Sequence, residues 1–222
     1  MPHELSQPEV DEIVTRFHRL YYESFQRTQV IHWLGAQTLK CPFDLWTYQE
    51  ILYRMRPDVI VETGTRRGGS AYFMASIFEL LGKGRVLTVD VKRRPRRATH
   101  PRIEFLSGSS ADPAIVSQVH DAIGPGESVM VVLDSDHSAE HVLAELHAYA
   151  PLVHEGHYLI VEDTNVNGHP VYPEHGPGPT EALEAFLAEP AGQDFEVDRE
   201  CERFFLTMHP GGYLRRRQAA ER

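Results

Sequence analysis

Cysteine is scarce in this sequence. Cys41 and Cys201 are the only two among 222 residues, too few for a disulfide framework and without the spacing of a metal site. Both are expected as free thiols. No apolar run is long enough to span a bilayer, and the opening MPHELSQPEVDE is acidic, without the cationic and apolar regions of a secretion signal. A soluble, cytoplasmic protein with no membrane partner is expected. Positive charge is also short: 22 Lys plus Arg face 32 Asp plus Glu, a formal charge of −10. That balance does not suit a surface that grips a phosphate backbone, so no nucleic-acid partner is expected. What is present is an ordinary globular composition, 41% hydrophobic and 24% charged, at a length that suits one large domain with a short arm.

Between Pro8 and Arg27 the apolar residues Val10, Ile13, Val14, Phe17, Leu20, Tyr21 and Phe25 recur at helical steps, which predicts an amphipathic N-terminal helix. Its stripe is free to pack on the domain or on a second copy, so a homo-oligomer is a possible state. The next stretch, TQVIHWLGAQTLKCPFDLW, has no sustained period and reads as an ordered irregular segment, with Trp33 and Trp46 as core residues. From Val59 to Glu162 short apolar strands at 59–62, 85–90, 103–106, 128–133 and 157–162 alternate with helical stretches at 69–81, 112–123 and 139–149. Continuous apolar strands with helical crossovers are the pattern of a parallel sheet covered on both faces, an α/β doubly wound fold. A helix after Thr180 and two strand-like runs, FEVD and RFFLTMH, follow. The basic clusters KRRPRR at Lys92 to Arg97 and Arg215 to Arg217 read as solvated loop and tail charge. The expected division is an N-terminal helix and substrate-facing arm over 1–45, the main domain over 46–217 and a tail over 218–222.

In such sheets ligands bind beyond the carboxyl ends of the strands. The first strand ends in Glu62 and the turn Thr63-Gly64-Thr65-Arg66-Arg67-Gly68-Gly69-Ser70. Gly64 permits close backbone approach, and a helix opens at Gly69 with its amides free. The second strand ends in Asp90, 28 positions after Glu62, where an acid can bind both hydroxyls of a ribose. A carboxylate in place of the usual phosphate turn suits a cationic or zwitterionic ligand, and S-adenosylmethionine meets that condition. The competing reading is a plain turn with Asp90 as its cap. After the third strand, Ser109 and Ser110 either contact a purine edge or only lead to the helix that Asp112 caps.

The fourth strand ends in Asp134 and the fifth in Glu162-Asp163. On adjacent strands about 4.8 Å apart, these three carboxylates can share one hard cation. All-oxygen ligation points to a divalent ion, Mg²⁺ first, rather than zinc. His137, three residues past Asp134, can lean over the same site or be an ordinary loop residue. Asn165 to Pro179 is long enough to form a lid.

The segments WLGAQTLKCPFDLWTYQEIL, VETGTRRGGSAYFMAS, VLTVDV, SGSSADP, VVLDSDHSAEHVLAELHAYAPLV, YLIVEDT and HPGGYLRRR together resemble the cephalosporin hydroxylase family of class I methyltransferase-fold proteins. They also resemble the metal-dependent sugar O-methyltransferases of antibiotic pathways. The resemblance implies a Rossmann-like, mostly parallel sheet and methyl transfer from S-adenosylmethionine to a hydroxyl of a small-molecule acceptor, a sugar or natural-product intermediate. It implies cofactor contacts at Glu62, Gly64, Ser70, Asp90, Ser109, Ser110 and Asp134, a divalent cation on Asp134, Glu162 and Asp163, and His137 as the catalytic base. Two other readings compete: a component that assists β-lactam methoxylation or hydroxylation with a partner protein, and a non-catalytic cofactor-binding subunit.

Overall fold

The N-terminal helix α1 runs over Gln7–Tyr21, with Pro8 in its first turn and the Ser6 amide donating to Glu9 Oε2 at 2.8 Å. The structure, a computed structural model, describes residues 5–94 and 97–218. Residues 95 and 96 of the KRRPRR cluster and 219–222 of the expected tail lie outside the described residues.

The segment expected to be irregular contains a small antiparallel hairpin, β1 (Ile31–Trp33) and β2 (Ala36–Thr38), turning at Leu34-Gly35. Its strands are too short for a period to show. Helix α2 (Pro42–Met55) starts with Pro42 and stops at left-handed Arg56 before Pro57. Trp33 packs edge-on against Phe73. Trp46 corrects the expectation of core packing, because it is 58% exposed and donates to Glu50 across one helical turn.

The main sheet comprises β3 (Val59–Thr63), β4 (Arg85–Asp90), β5 (Ile103–Ser107), β6 (Val129–Leu133), β7 (Tyr158–Val161), β8 (Phe195–Val197) and β9 (Tyr213–Arg216). The spatial order is β5-β4-β3-β6-β7-β9-β8. Strands β3 to β7 pair in parallel, while β9 runs antiparallel to both β7 and β8. The helices α3 (Gly69–Leu81), α4 (Pro113–Ala122), α5 (Ala139–Tyr149) and α6 (Pro179–Ala188) cover it, so the alternating pattern folds as the doubly wound sheet it predicts.

Period-two alternation divides the core. Val59, Val61, Leu87, Val131 and Leu159 face the layer that includes α4, α5 and α6, while Ile60, Val86, Met130, Val132 and Ile160 face α2 and α3. Extending the second set by two positions reaches Glu62, Asp134 and Glu162. The three acids thus emerge on the α2/α3 face at the end of three adjacent strands.

Two expectations at the C-terminus fail together. RFFLTMH does not form a strand; it is a string of turns whose inward residues, Leu206, Met208 and His209, are held separately. The Met208 amide bonds Asp44 Oδ2 at 2.9 Å instead of a ladder partner. The closing strand is Tyr213–Arg216, which includes part of the cluster read as solvated tail charge. Its arginines are partnered: Arg215 with Glu196, and Arg216 with Asp194 and with the carbonyls of Pro151 and Val153.

Candidate functional site

The strand order reverses between β3 and β6, and the crevice opens above their carboxyl ends. Gly64 stands at that point with φ +90°, and a Cβ there would lie 1.8 Å from the Asp134 carbonyl oxygen. The two strand ends approach too closely for any side chain, which accounts for glycine in the turn. Gly69 is under similar pressure, since a Cβ on it would lie 2.1 Å from the Gln37 carbonyl oxygen.

One end of the crevice is a cavity of about 350 Å³ lined by Gly64, Asp90, Gly108, Ser109, Ser110, Ser135 and His141. Asp90 accepts the amides of Arg66 at 2.6 Å and Lys92 at 2.7 Å, so it ties the turn after β3 to the turn after β4. Ser110 Oγ lies 3.1 Å from His141 Nε2, and the Ser110 carbonyl accepts Tyr149 Oη. Asp112 accepts the Ala114 amide as the cap of α4. In the middle, Gln37, Leu39, Lys40, Gly64, Ser70 and Asp134 line a narrow groove. Glu62 does not line it. It is fully buried beneath the turn, accepts Ser70 Oγ and Thr88 Oγ1, and is pushed up to about 7 by burial despite those bonds.

The acids at the ends of β6 and β7 separate into two groups. Lys40, 4% exposed, places its ammonium between Asp134 Oδ2, at 2.5 Å, and Glu162. Glu162 also accepts Tyr48 Oη at 2.6 Å, so its two oxygens are occupied from the α2 side. Burial and the Asp134 charge raise the Glu162 carboxyl above the ordinary carboxylate range, with Lys40 opposing. Burial also acts against the charged form of Asp134, but Lys40 and His137 win and hold it down at about 2.

The second group faces the open part of the crevice. His137 Nε2 lies 3.4 Å from Asp134 Oδ1, and its Nδ1 lies 3.3 Å from Asp163 Oδ2. Ligand atoms of Asp134, His137 and Asp163 all fall within 4.8 Å of one another. Glu162 is outside this cluster. His137 Nε2 is buried and, 3.4 Å from Asp134 Oδ1, completes no well-formed hydrogen bond among the described residues. Burial works against the imidazolium, but Asp163 and Asp134 outweigh it and push the histidine up to about 9. Asp163 has the left-handed φ of +54°, and its amide donates to His209 Nδ1 at 3.2 Å, which fixes the turn that aims the carboxylate. A cavity of about 450 Å³, lined by His137, Asp163, Asp134, Tyr22, Arg27 and Arg66 among others, lies in front.

The sequence reading covered Lys40 only within the substrate-facing arm over 1–45 and passed over Tyr48, His141 and His209. His141 had a usable signal: it stands four residues after His137 and four before Glu145, which lies 3.5 Å from its Nε2. The segment Asn165 to Pro179 packs rather than hangs free. Val166 and Val171 are buried, Asn165 meets His18 at 3.0 Å, and Pro170 accepts Arg19 Nε. His169 pairs with Glu181, and His175 points to the Gly176 carbonyl.

The family model Rhamnosyl O-methyltransferase/CmcI matches residues 26–217. A protein of Mycobacterium bovis (strain BCG / Pasteur 1173P2) named rhamnosyl O-methyltransferase is 42% identical over 211 residues, covering 92% of this chain and 85% of its own length. Its namesake in Mycobacterium leprae (strain TN) is 40% identical over 213 residues, covering 93% and 92%. The solved structure described as cmcI-D160 Mg-SAM superposes with a TM-score of 0.62 at 22% identity, over 85% of this chain and 77% of that one. At that identity the likeness concerns the fold, and it is the same class I methyltransferase architecture.

Proposed function

The chain belongs to the rhamnosyl O-methyltransferase/CmcI family, and on that premise we propose that it methylates a hydroxyl of a sugar-bearing small molecule. The methyl donor in this reading is S-adenosylmethionine, and a divalent cation, Mg²⁺ first, assists. The observation that carries the reading is the Asp134–His137–Asp163 cluster at the switch point, whose three side chains line a ligand-sized cavity. The carboxylate oxygens of Asp134 and Asp163 fit a hard divalent cation and leave the His137 imidazole for proton transfer. Asp134 and Asp163 would hold it, with Glu162 behind them carrying the charge that Lys40 balances.

The cofactor would lie along the crevice, its adenine near Ser109 and Ser110, its ribose at Asp90 and its methionine part in the groove at Gly64 and Ser70. Glu62 acts there from below, through its bond to Ser70. When bound, the cation supplies Lewis acidity that lowers the pKa of a chelated hydroxyl, and adenosylmethionine supplies the electrophilic methyl. His137, flanked by Asp134 and Asp163, would take the hydroxyl proton as the acceptor oxygen gains the methyl group and the sulfur departs with the electron pair of its broken bond. No covalent enzyme intermediate is required. The same reading places the protein in the cytoplasm; among the described residues no helix is long and apolar enough to cross a membrane. It also includes self-association through the exposed Ile13, Phe17 and Leu20 of α1.

The test is transfer of a labelled methyl group to a rhamnoside. Activity should vanish in excess EDTA and return with Mg²⁺; undiminished transfer in chelator would overturn the metal-assisted part. A second measurement concerns the ribose. Asp90→Ala removes a carboxylate and releases two backbone amides, so adenosylmethionine affinity by calorimetry should fall about tenfold or more. An unchanged dissociation constant would remove Asp90 from the cofactor site.

A further inference from the structure

The sequence has ten more acidic than basic residues, yet five of the six residues in KRRPRR are cationic. That segment leaves the end of β4 directly after Asp90 and Val91. Two of its side chains, Lys92 and Arg94, line the same 450 Å³ cavity as His137 and Asp163. Arg66, from the turn after β3, and Arg27, from the turn after α1, line it too. Asp90 binds the amides of both Arg66 and Lys92, which fixes the two basic turns side by side. Arg27 pairs with Glu23 at 3.1 Å and lies over the Tyr172 ring. The side chains of Arg66, Lys92 and Arg94 form no ion pair among the described residues.

Four cations share this opening with the carboxylates of Asp90, Asp134 and Asp163. Asp90 is taken up by two backbone amides, and Asp134 and Asp163 are the groups proposed to hold the metal, so with the site loaded the side chains of Arg66, Lys92 and Arg94 face the cavity without counter-charge. A neutral sugar hydroxyl can accept from these donors but leaves their charge unbalanced. An anion on the second substrate balances it, and guanidinium and ammonium groups at the rim match phosphate oxygens in charge and donor geometry. In a protein acidic overall, a basic mouth also steers an anion to this one opening.

We propose that the acceptor of this site is a phosphate-bearing sugar, its hydroxyl at His137 and its phosphate against Lys92, Arg94, Arg66 and Arg27. This rests on the methyl-transfer reading for its chemistry but not for its binding preference. The phosphate can belong to a glycosyl phosphate or to a nucleoside diphosphate sugar, and the shared chemistry is the phosphate on the sugar.

The experiment uses the full chain loaded with Mg²⁺ and S-adenosylhomocysteine and measures binding of three probes by calorimetry: methyl α-L-rhamnoside, L-rhamnose 1-phosphate and thymidine diphosphate L-rhamnose. Both phosphorylated probes should bind at least about tenfold more tightly than the neutral one, with the advantage shrinking as salt rises. A further gain for the nucleotide identifies the sugar nucleotide as the source; equal affinity of the two identifies the sugar phosphate. In Lys92→Gln/Arg94→Gln the ratio of neutral to phosphorylated dissociation constants should collapse toward one. Equal binding of all three probes by the unaltered protein, or a ratio unchanged in the variant, overturns the proposal. Methyl transfer is then measured with adenosylmethionine. A phosphate preference without transfer to any probe retains the anion site and overturns the methyl-transfer reading instead.

Discussion

Replacing Lys40 by Met should destabilise the protein by about 3–5 kcal/mol, as expected when one partner of a buried charge group is removed. Methionine keeps the length of the side chain, so the loss does not come from a cavity. It comes from Asp134 and Glu162, which would face one another without the ammonium that lies between them. Glu162 is 2% exposed and already raised by burial and by Asp134. Without Lys40 it rises further, and the variant regains part of its stability by protonating it. The sign follows: a carboxyl whose folded pKa exceeds its unfolded value costs stability above the unfolded value, increasingly up to the folded one. The deficit should therefore be larger at about pH 8 than at about pH 5. Denaturant unfolding of both proteins at the two pH values, without metal, measures it. A deficit under about 1 kcal/mol at the higher pH would show that Lys40 is dispensable to the acids. Mg²⁺ should stabilise the variant more than the parent, because a bound cation replaces part of the missing charge.

His137→Ala should lower kcat by about 10²–10⁴-fold, the range for loss of a positioned general base. Adenosylmethionine affinity should change little, since His137 is absent from the cavity at Ser109 and Ser110 and from the groove at Ser70. The pH profile carries an independent readout. In the metal-free protein Asp163 and Asp134 push His137 up to about 9, so it is protonated at neutral pH and cannot accept a proton. A divalent ion on those carboxylates cancels their pull and adds like charge, which lowers that value. The acidic limb of the rate profile should fall below pH 9 in saturating Mg²⁺ and disappear in the variant. A kcat within tenfold of the parent, with the limb intact, would move the base elsewhere.

The sheet was legible because its five parallel strands are continuous apolar runs separated by helical periods, so register errors of a residue at the ends changed nothing essential. The acids at strand ends could be read for the same reason: Asp90 closes an apolar strand, and Asp134 and Glu162 each follow one. The closing strand was not, because Tyr213–Arg216 buries Tyr213 and Leu214 while its half-buried arginines pair with carboxylates of neighbouring segments, whereas Arg203–His209 has strand-forming residues but spends its backbone on side-chain partners such as Asp44. Lys40 was hardest. Its role depends on three acids sharing one sheet face and on a covering helix whose lead-in, 28–41, contains Lys40 as its sole Lys or Arg. That face assignment follows from alternation once the strand order is known, and strand order is not written in any local window. His209 acts on Asp163 from 46 positions away, through a single backbone amide.

The span of the Lys40 cluster also bears on how the chain is made. Lys40 and Asp134 are 94 positions apart, and Tyr48 and Glu162 are 114 apart. A growing chain on the ribosome therefore releases its hairpin and α2 long before their acidic partners exist, and must keep a lysine and a tyrosine destined for burial in water meanwhile. The hairpin and α2 can pack on α3 early, but Lys40 and Tyr48 gain their acidic partners only after β6 and β7 have emerged. Synthesis halted ahead of Glu162 would leave Lys40 and Tyr48 without that partner in an unclosed, protease-accessible fragment, so the centre proposed for chemistry is also a joint between the early and late parts of the nascent polypeptide.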